Sequence, residues 1–519
     1  MRTIGGILEQ RAAENPDREI VRFRHGALTY RELDDRASRI ANAFAGLGLK
    51  RGDKVAVLLP NGPEFLASWF GITRAGMIEV PLNVGLRGDL LAYGLNQAQC
   101  RAIIVNDEWV GRVDAVAPAL ETLRHVIVVG NRTTSIAMPF GELLTAPAAR
   151  PSIRVAPEDT AVLLFTSGTT GPSKAVVLSH NANFGLASST ISVMEYGEDE
   201  VFFTAFPLYH INAKYTTVLP AMMLDHASAV VHDRFSVSGF WDTCRAEGVT
   251  AMNFMGALLL MLSKQPERED DADNPVQKGF GAPAPPAIAP SFEERFGVVL
   301  LEVYGSTEVG TVIANRPANR RFGTCGRPVP AFEVEIHDDE GRPLPPGTPG
   351  EIVVKPRRPH TIIEEYYRMP EATAAAFRDG WFRTGDRGVC DADGWFTFLD
   401  RTKDAIRRRG ENISSWEVEQ VLNDHPAIEE TAVIGVPSVL TEEEVLAVVK
   451  VRDGVDLPPE AILDHAQERL PHFAVPRYVR FVSELPKNPQ QRIQKFLLRD
   501  AGVTPDTWDR EAVGYVVTR

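Results

Sequence analysis

Residues 161–180 read AVLLFTSGTTGPSKAVVLSH, and the reading of this stretch decides the rest of the chain. An apolar run, Ala161-Val162-Leu163-Leu164-Phe165, gives way to nine residues, Thr166 to Lys174, drawn only from Ser, Thr, Gly, Pro and Lys; a second apolar run, Ala175-Val176-Val177-Leu178, follows. The pattern predicts strand, polar loop, strand. Gly168 and Gly171 let backbone N–H groups approach an anion closely, the hydroxyls of Thr166, Ser167, Thr169 and Thr170 add donors, and several phosphate oxygens can share the Lys174 ammonium. A Walker A loop needs its lysine directly after the last glycine and a helix directly after that. Here Lys174 stands three residues past Gly171 and β-branched residues follow, so the loop is of another kind. On composition alone the competing reading is a solvated Ser/Thr/Gly hairpin.

Composition narrows the surroundings. The chain has 519 residues, too many for one core, with 44% hydrophobic and 24% charged residues as in ordinary globular proteins. A formal net charge of −14, with no large Lys/Arg block, argues against nucleic acid as a partner. Cys100, Cys244, Cys325 and Cys390 lie far apart without a CxxC, which predicts neither a disulfide framework nor a zinc site. The first residues carry acidic groups and no long apolar run, and Ala257 to Leu262 is far too short to span a bilayer. The expectation is a cytoplasmic protein with no membrane partner, monomeric or homodimeric.

Organisation follows from periodicity. Ile4, Leu8 and Ala12 mark one helix face, and Thr29 caps a second helix running to Leu47. Strands are expected at Lys54–Leu59, Glu79–Leu82, Arg101–Val105 and His125–Val129, separated by helices, which predicts doubly wound parallel sheets. Val201–Phe206 is a further strand, ending in Pro207-Leu208-Tyr209-His210. A buried helix is expected over Ala251–Leu262 and a disordered acidic segment over Gln265–Asn274. Val298–Val303 is again a strand. Alternating short strands with Gly/Pro turns over about 325–400 predict a β-barrel-like subdomain, and the last part of the chain a smaller α+β domain.

Two motifs occur in order: TSGTTG with a nearby lysine, and Tyr304-Gly305-Ser306-Thr307-Glu308. Together they resemble the signatures of the adenylate-forming superfamily, which includes the acyl-CoA synthetases, and the likeness extends over nearly the whole chain. It is strongest to acyl-CoA ligases of the crotonobetaine/carnitine or short-acyl type. The resemblance implies an adenylation domain at 1–400, a hinge at 401–403 centred on Lys403, and a mobile domain at 404–519. It implies ATP, Mg²⁺ and CoA as cofactors and a small acid as substrate. By the same resemblance Thr166 to Gly171 and Lys174 hold phosphates, Thr307 contacts the α-phosphate, and Glu308 binds Mg²⁺. Gly281-Ala282-Pro283 and Tyr304 enclose adenine, while Asp386, in Trp381-Phe382-Arg383-Thr384-Gly385-Asp386, and Arg401 hold ribose. His210, Lys214, Glu302 and Val303 line the acid pocket, and the segment around Gly410 lines the pantetheine tunnel, where some of Arg407, Arg408 and Arg409 meet CoA phosphates.

The sequence departs from the family pattern in places. Ser173-Lys174-Ala175 replaces the usual Pro-Lys-Gly, and Tyr209 replaces a Phe. In Pro486-Lys487-Asn488-Pro489-Gln490-Gln491-Arg492-Ile493, Arg492 stands where the family has its catalytic lysine. An arginine keeps the charge but is planar and bulkier than an ammonium; Lys495 is a possible substitute. Two further readings therefore stand beside the acid:CoA ligase. One is a diazotase-type enzyme that adenylates nitrite and transfers it to an arylamine. The other is a nucleotide-binding relative without turnover.

Overall fold

The computed structural model describes residues 2–131, 137–166, 173–286, 288–401, 405–438, 442–486, 493 and 495–517. Local signals set the first elements. The helix Tyr30–Gly46 starts with a reciprocal cap: Glu32 N donates to Thr29 Oγ1 at 3.2 Å and Thr29 N to Glu32 Oε2 at 2.9 Å. Pro63 opens the helix Pro63–Arg74 at the position where its missing N–H costs nothing.

The apolar runs become the interiors of two large sheets. A seven-stranded sheet has the order Ala137–Pro139, His125–Val129, Cys100–Asn106, Lys54–Leu58, Ile78–Pro81, Thr160–Thr166, Lys174–Ser179. All its pairings are parallel except the last, which is antiparallel and sets Thr166 opposite Lys174. A nine-stranded sheet runs Arg327–Pro328, Gly310–Ala314, Val299–Ser306, Lys278–Gly281, Ala251–Phe254, Val201–Thr204, Ser228–Val231, Glu19–Phe23, Ala27–Thr29. It is parallel in the middle and antiparallel at both ends. One continuous apolar core joins the two sheets and reaches the half-barrel of five antiparallel strands built from Phe332–His337, Gly350–Pro356, Phe377–Arg378, Trp381–Cys390 and Phe396–Arg401.

The C-terminal α+β domain has cores of its own. Its four-stranded sheet orders Ile428–Pro437, Glu443–Val451, Tyr478–Phe481 and Trp508–Asp509, with the helices Ser415–Asn423, Pro459–Gln467 and Lys495–Ala501. A hairpin, Ala405–Arg408 with Glu411–Ser414, precedes it. Among the described residues no helix is long and apolar enough to cross a membrane.

Two expectations are corrected. The run 251–262 is not one helix: Ala251–Phe254 is a strand between Val201–Thr204 and Lys278–Gly281, and the helix is Gly256–Ser263. With Asn253 its only polar residue the run carries no clear period, so the neighbouring strands divide it, at Met255-Gly256. The acidic segment 265–274 is ordered by arginines distant in sequence. Arg295 Nε donates to the buried Asp271 Oδ2 at 2.6 Å, and Arg245 pairs with Asp270 at 3.2 Å.

His180 closes the opening stretch and ties it to the N-terminus: its Nδ1 accepts the Ile4 N–H at 3.2 Å while the ring is buried. Burial lowers its pKa to about 4, and protonation would also remove the acceptor. A base whose pKa is depressed on folding contributes its full stability above its unfolded value of about 6.5 and loses it as pH falls toward 4, by about 3 kcal/mol in all. His180→Asn, which keeps an acceptor without a titration, is expected to flatten that part of the pH dependence. Urea midpoints at pH 7, 5.5 and 4.5 measure the difference, and parallel curves for the two proteins would contradict it.

Candidate active site

The strand Val299–Ser306 and the strand Gly310–Ala314 form a hairpin whose turn holds Thr307 and Glu308. It carries two sets of contacts. The buried Tyr304 hydroxyl donates to Asp386 Oδ2 at 2.7 Å, and its ring stacks 6.1 Å from Phe398 at 25°. Asp386, also buried, lies opposite Arg401 in the pairing of Trp381–Cys390 with Phe396–Arg401. In the turn the Glu308 carboxylate accepts from the Tyr366 hydroxyl at 3.0 Å, and the Tyr366 ring carries the Lys174 ammonium 4.5 Å from its centroid. Lys174 begins the strand Lys174–Ser179. Thr166, half-buried, ends the strand Thr160–Thr166 that pairs with it. Ser167, Gly168, Thr169, Thr170 and Gly171 lie outside the described residues, as do Lys403 and Arg492.

Next to Tyr304, Gly281 pairs with Glu302 across parallel strands and leads into Ala282-Pro283. A Cβ on Gly281 would fall 2.0 Å from the Phe254 carbonyl oxygen, so the close approach of these strands requires glycine. The half-buried Glu302 has its pKa raised to about 7 by burial, against a smaller opposing effect of the Ala284 N–H. Val303 is buried beside it.

The C-terminal domain reaches this region at two points. Glu411, in the hairpin after the half-barrel, meets His210 Nε2 at 3.1 Å and the Tyr209 hydroxyl at 3.4 Å. The hairpin tip, Gly410, has φ +83°, and a Cβ there would lie 2.5 Å from Met255 Sδ. Glu417, on the helix Ser415–Asn423, accepts from Ser173 N at 3.1 Å and from the Ser173 hydroxyl. Burial raises the pKa of this carboxylate against those two hydrogen bonds.

Three sequence expectations change. Lys214 does not stand on an open pocket wall. A π turn over Lys214–Val218 directs it into the core, where it is fully buried 2.5 Å from the equally buried Glu79 and faces the rings of Trp69, Tyr215 and Phe65 at 5.1–5.8 Å. Arg408 is not available to CoA phosphates, since its side chain is buried on Glu444 at 2.5 Å and donates to Phe473 O at 2.8 Å. Lys495 is held within the C-terminal domain, 2.7 Å from Glu419 and 3.0 Å from Ser415 Oγ. Tyr366, Ser173 and Glu417 had no prior role. Their partners are far away in sequence, and no spacing rule reveals them.

Glu308 suits Mg²⁺, a hard cation that takes one or two carboxylates and completes its shell with water and substrate phosphates. Among the described residues no cluster of three or more His, Cys, Asp or Glu side chains forms a dedicated metal cage.

The family model described as AMP-binding enzyme matches residues 8–367, and the AMP-binding enzyme C-terminal domain matches 417–492. The chain is 33% identical over 479 residues to a crotonobetaine/carnitine–CoA ligase of Salmonella choleraesuis, covering 90% of this chain and 92% of the relative. Among solved structures it is similar to the amide bond synthetase McbA of Marinactinospora thermotolerans (28% identity, TM-score 0.84, 96% and 99% covered). It is also similar to an o-succinylbenzoate CoA synthetase of Bacillus subtilis (25%, TM-score 0.84, 96% and 98%).

Proposed function

The chain belongs to the AMP-binding enzyme family of ATP-dependent, adenylate-forming ligases, and from that premise we propose that it adenylates a small carboxylic acid and transfers the acyl group to CoA. In the first half a carboxylate oxygen attacks the α-phosphorus of ATP as the bond to pyrophosphate breaks. In the second the thiol sulfur attacks the acyl carbon, the bond to AMP breaks and the thiol proton passes to solvent. Both partners in the first step are anionic, so positive charge aimed at the phosphates is the main requirement.

The observation that carries the reading is the hairpin that joins two contacts, Tyr304 on Asp386 and, four residues on, Glu308 linked through Tyr366 to Lys174. In this reading Tyr304 and Asp386 hold adenosine with Gly281, Ala282, Pro283 and Arg401, while Thr307 and Lys174 hold phosphates. Arg492 brings further charge from the C-terminal domain. Mg²⁺ bound at Glu308 supplies charge neutralisation on the phosphate oxygens. His210, Glu302 and Val303 bound the acid. Rotation at 401–403 exchanges the groups needed for the two halves, between a domain at 1–400 and one at 404–519. The contact of Glu411 with His210 and Tyr209 and that of Glu417 with Ser173 support the transfer orientation as the one described.

A second reading keeps adenylation and changes the acceptor to an amine, as in the nitrite–arylamine reaction. The burial of Arg408 on Glu444 leaves only Arg407 and Arg409 of the arginine run for CoA phosphates. Pyrophosphate release from ATP with a panel of acids including nitrite, each with CoA, an arylamine or no acceptor, separates these. CoA-dependent AMP formation is the expected result. Arylamine-dependent turnover selects the second reading. Retained ATP binding with no pyrophosphate from any acid selects the non-catalytic one and overturns both.

A further inference from the structure

Segment 363–367 runs antiparallel along the outer edge of the strand Lys174–Ser179. Glu364 N donates to Val177 O and Val177 N to Glu365 O, both at 3.0 Å, and Tyr367 N donates to Ala175 O at 2.8 Å. Successive side chains of an extended segment point to opposite faces. Tyr367 accordingly turns toward Lys54 and donates to Gln99 Oε1 at 2.9 Å, while Tyr366 turns toward Glu308 and Lys174. The Tyr366 backbone is fixed at both ends. Its N–H donates to Thr373 Oγ1 at 3.0 Å and its carbonyl accepts from Met369 N at 2.9 Å. The same segment also holds the Glu308 backbone, since Ile363 N donates to Glu308 O at 2.6 Å.

One buried ring therefore touches both charged groups assigned to the phosphates, from a backbone that cannot shift without breaking the sheet edge. The hydroxyl is a strong donor to a carboxylate. The ring face attracts an ammonium, though less strongly than several phosphate oxygens would.

We propose that Tyr366 is the positioning residue of the metal–phosphate site: its hydroxyl fixes the Glu308 rotamer through Oε1 so that the carboxylate would be oriented to hold Mg²⁺, and its ring holds Lys174 until phosphate takes the ammonium over. The inference rests on the adenylating reading above and adds to it a residue that touches neither reacting atom. Partners that orient a metal ligand usually change metal affinity 10- to 100-fold when lost.

The test compares the full-length wild type with Tyr366→Phe, which keeps the ring, and Tyr367→Phe, which removes the hydroxyl on the opposite face. Calorimetry follows binding of a non-hydrolysable ATP analogue across a Mg²⁺ series, and pyrophosphate release is measured across the same series. Tyr366→Phe is expected to raise the Mg²⁺ half-saturation about tenfold, while analogue affinity without Mg²⁺ stays within twofold and kcat recovers at saturating Mg²⁺. Tyr367→Phe is expected to leave the Mg²⁺ dependence unchanged. A wild type that binds Mg²⁺ and nucleotide together, with a Tyr366→Phe half-saturation within twofold of it, overturns the inference alone. An equal shift in both variants also overturns it, because disturbance of the sheet edge would then suffice. A wild type that binds no Mg²⁺–nucleotide overturns the underlying reading and the inference with it.

Discussion

Lys214→Met is expected to destabilise the large domain by about 3–5 kcal/mol, the range seen when one partner of a buried ion pair is removed. Lys214 and Glu79 are both fully buried, 2.5 Å apart, and burial pushes the glutamate pKa up and the lysine pKa down against their mutual attraction. Methionine fills the volume and still packs on Trp69, Phe65 and Tyr215, so the loss is almost wholly that of a carboxylate left uncompensated. Glu79 Oε1 already lacks a hydrogen-bond partner among the described residues, so nothing nearby takes over. Because the pair gains little over an apolar one of equal shape, the double variant Glu79→Leu/Lys214→Met is expected to recover most of the loss. Urea midpoints of the large-domain transition test both statements. A loss below about 1 kcal/mol in the single variant, the level of an ordinary exposed pair, would mean that the pair is not sealed from water.

Glu308→Gln is expected to lower pyrophosphate release by about 10²- to 10³-fold, the scale for removing one electrostatic element aimed at developing charge. The substitution is isosteric, and an amide oxygen still accepts from the Tyr366 hydroxyl at the 3.0 Å contact, so folding stability should hold. What disappears is the negative charge that Mg²⁺ requires. Transfer from a supplied acyl-adenylate needs no pyrophosphate departure and should fall by less than tenfold, an allowance set by the absence of new charge in that step. An equal loss in both half-reactions would sink the assignment of Glu308 to the phosphates.

Local chemistry made much of this molecule legible. The cap at Thr29 and the apolar runs of the parallel strands each act within a few residues, and each stands where its pattern put it. The hairpin carrying Lys174 was legible too, because a Ser/Thr/Gly loop between two buried runs leaves few alternatives. Ala251–Leu262 misled for the opposite reason. One polar residue, Asn253, in twelve sets no clear period, so neighbouring strands divided it.

The sequence by itself determined the class of the protein: doubly wound sheets, a β-rich subdomain, a small C-terminal domain and a Ser/Thr/Gly loop between two paired strands. Those features rest on contacts between near neighbours and on alternation along one strand. Only the tertiary structure decided what the charged groups do. It sealed Lys214 on Glu79, enclosed Arg408 with Glu444, set Glu417 on Ser173 and placed Tyr366 between Lys174 and Glu308. The physical reason is desolvation. Whether a lysine or a glutamate faces a ligand or a partner depends on how much water remains around it, and that is set by segments that approach each other only in the folded chain.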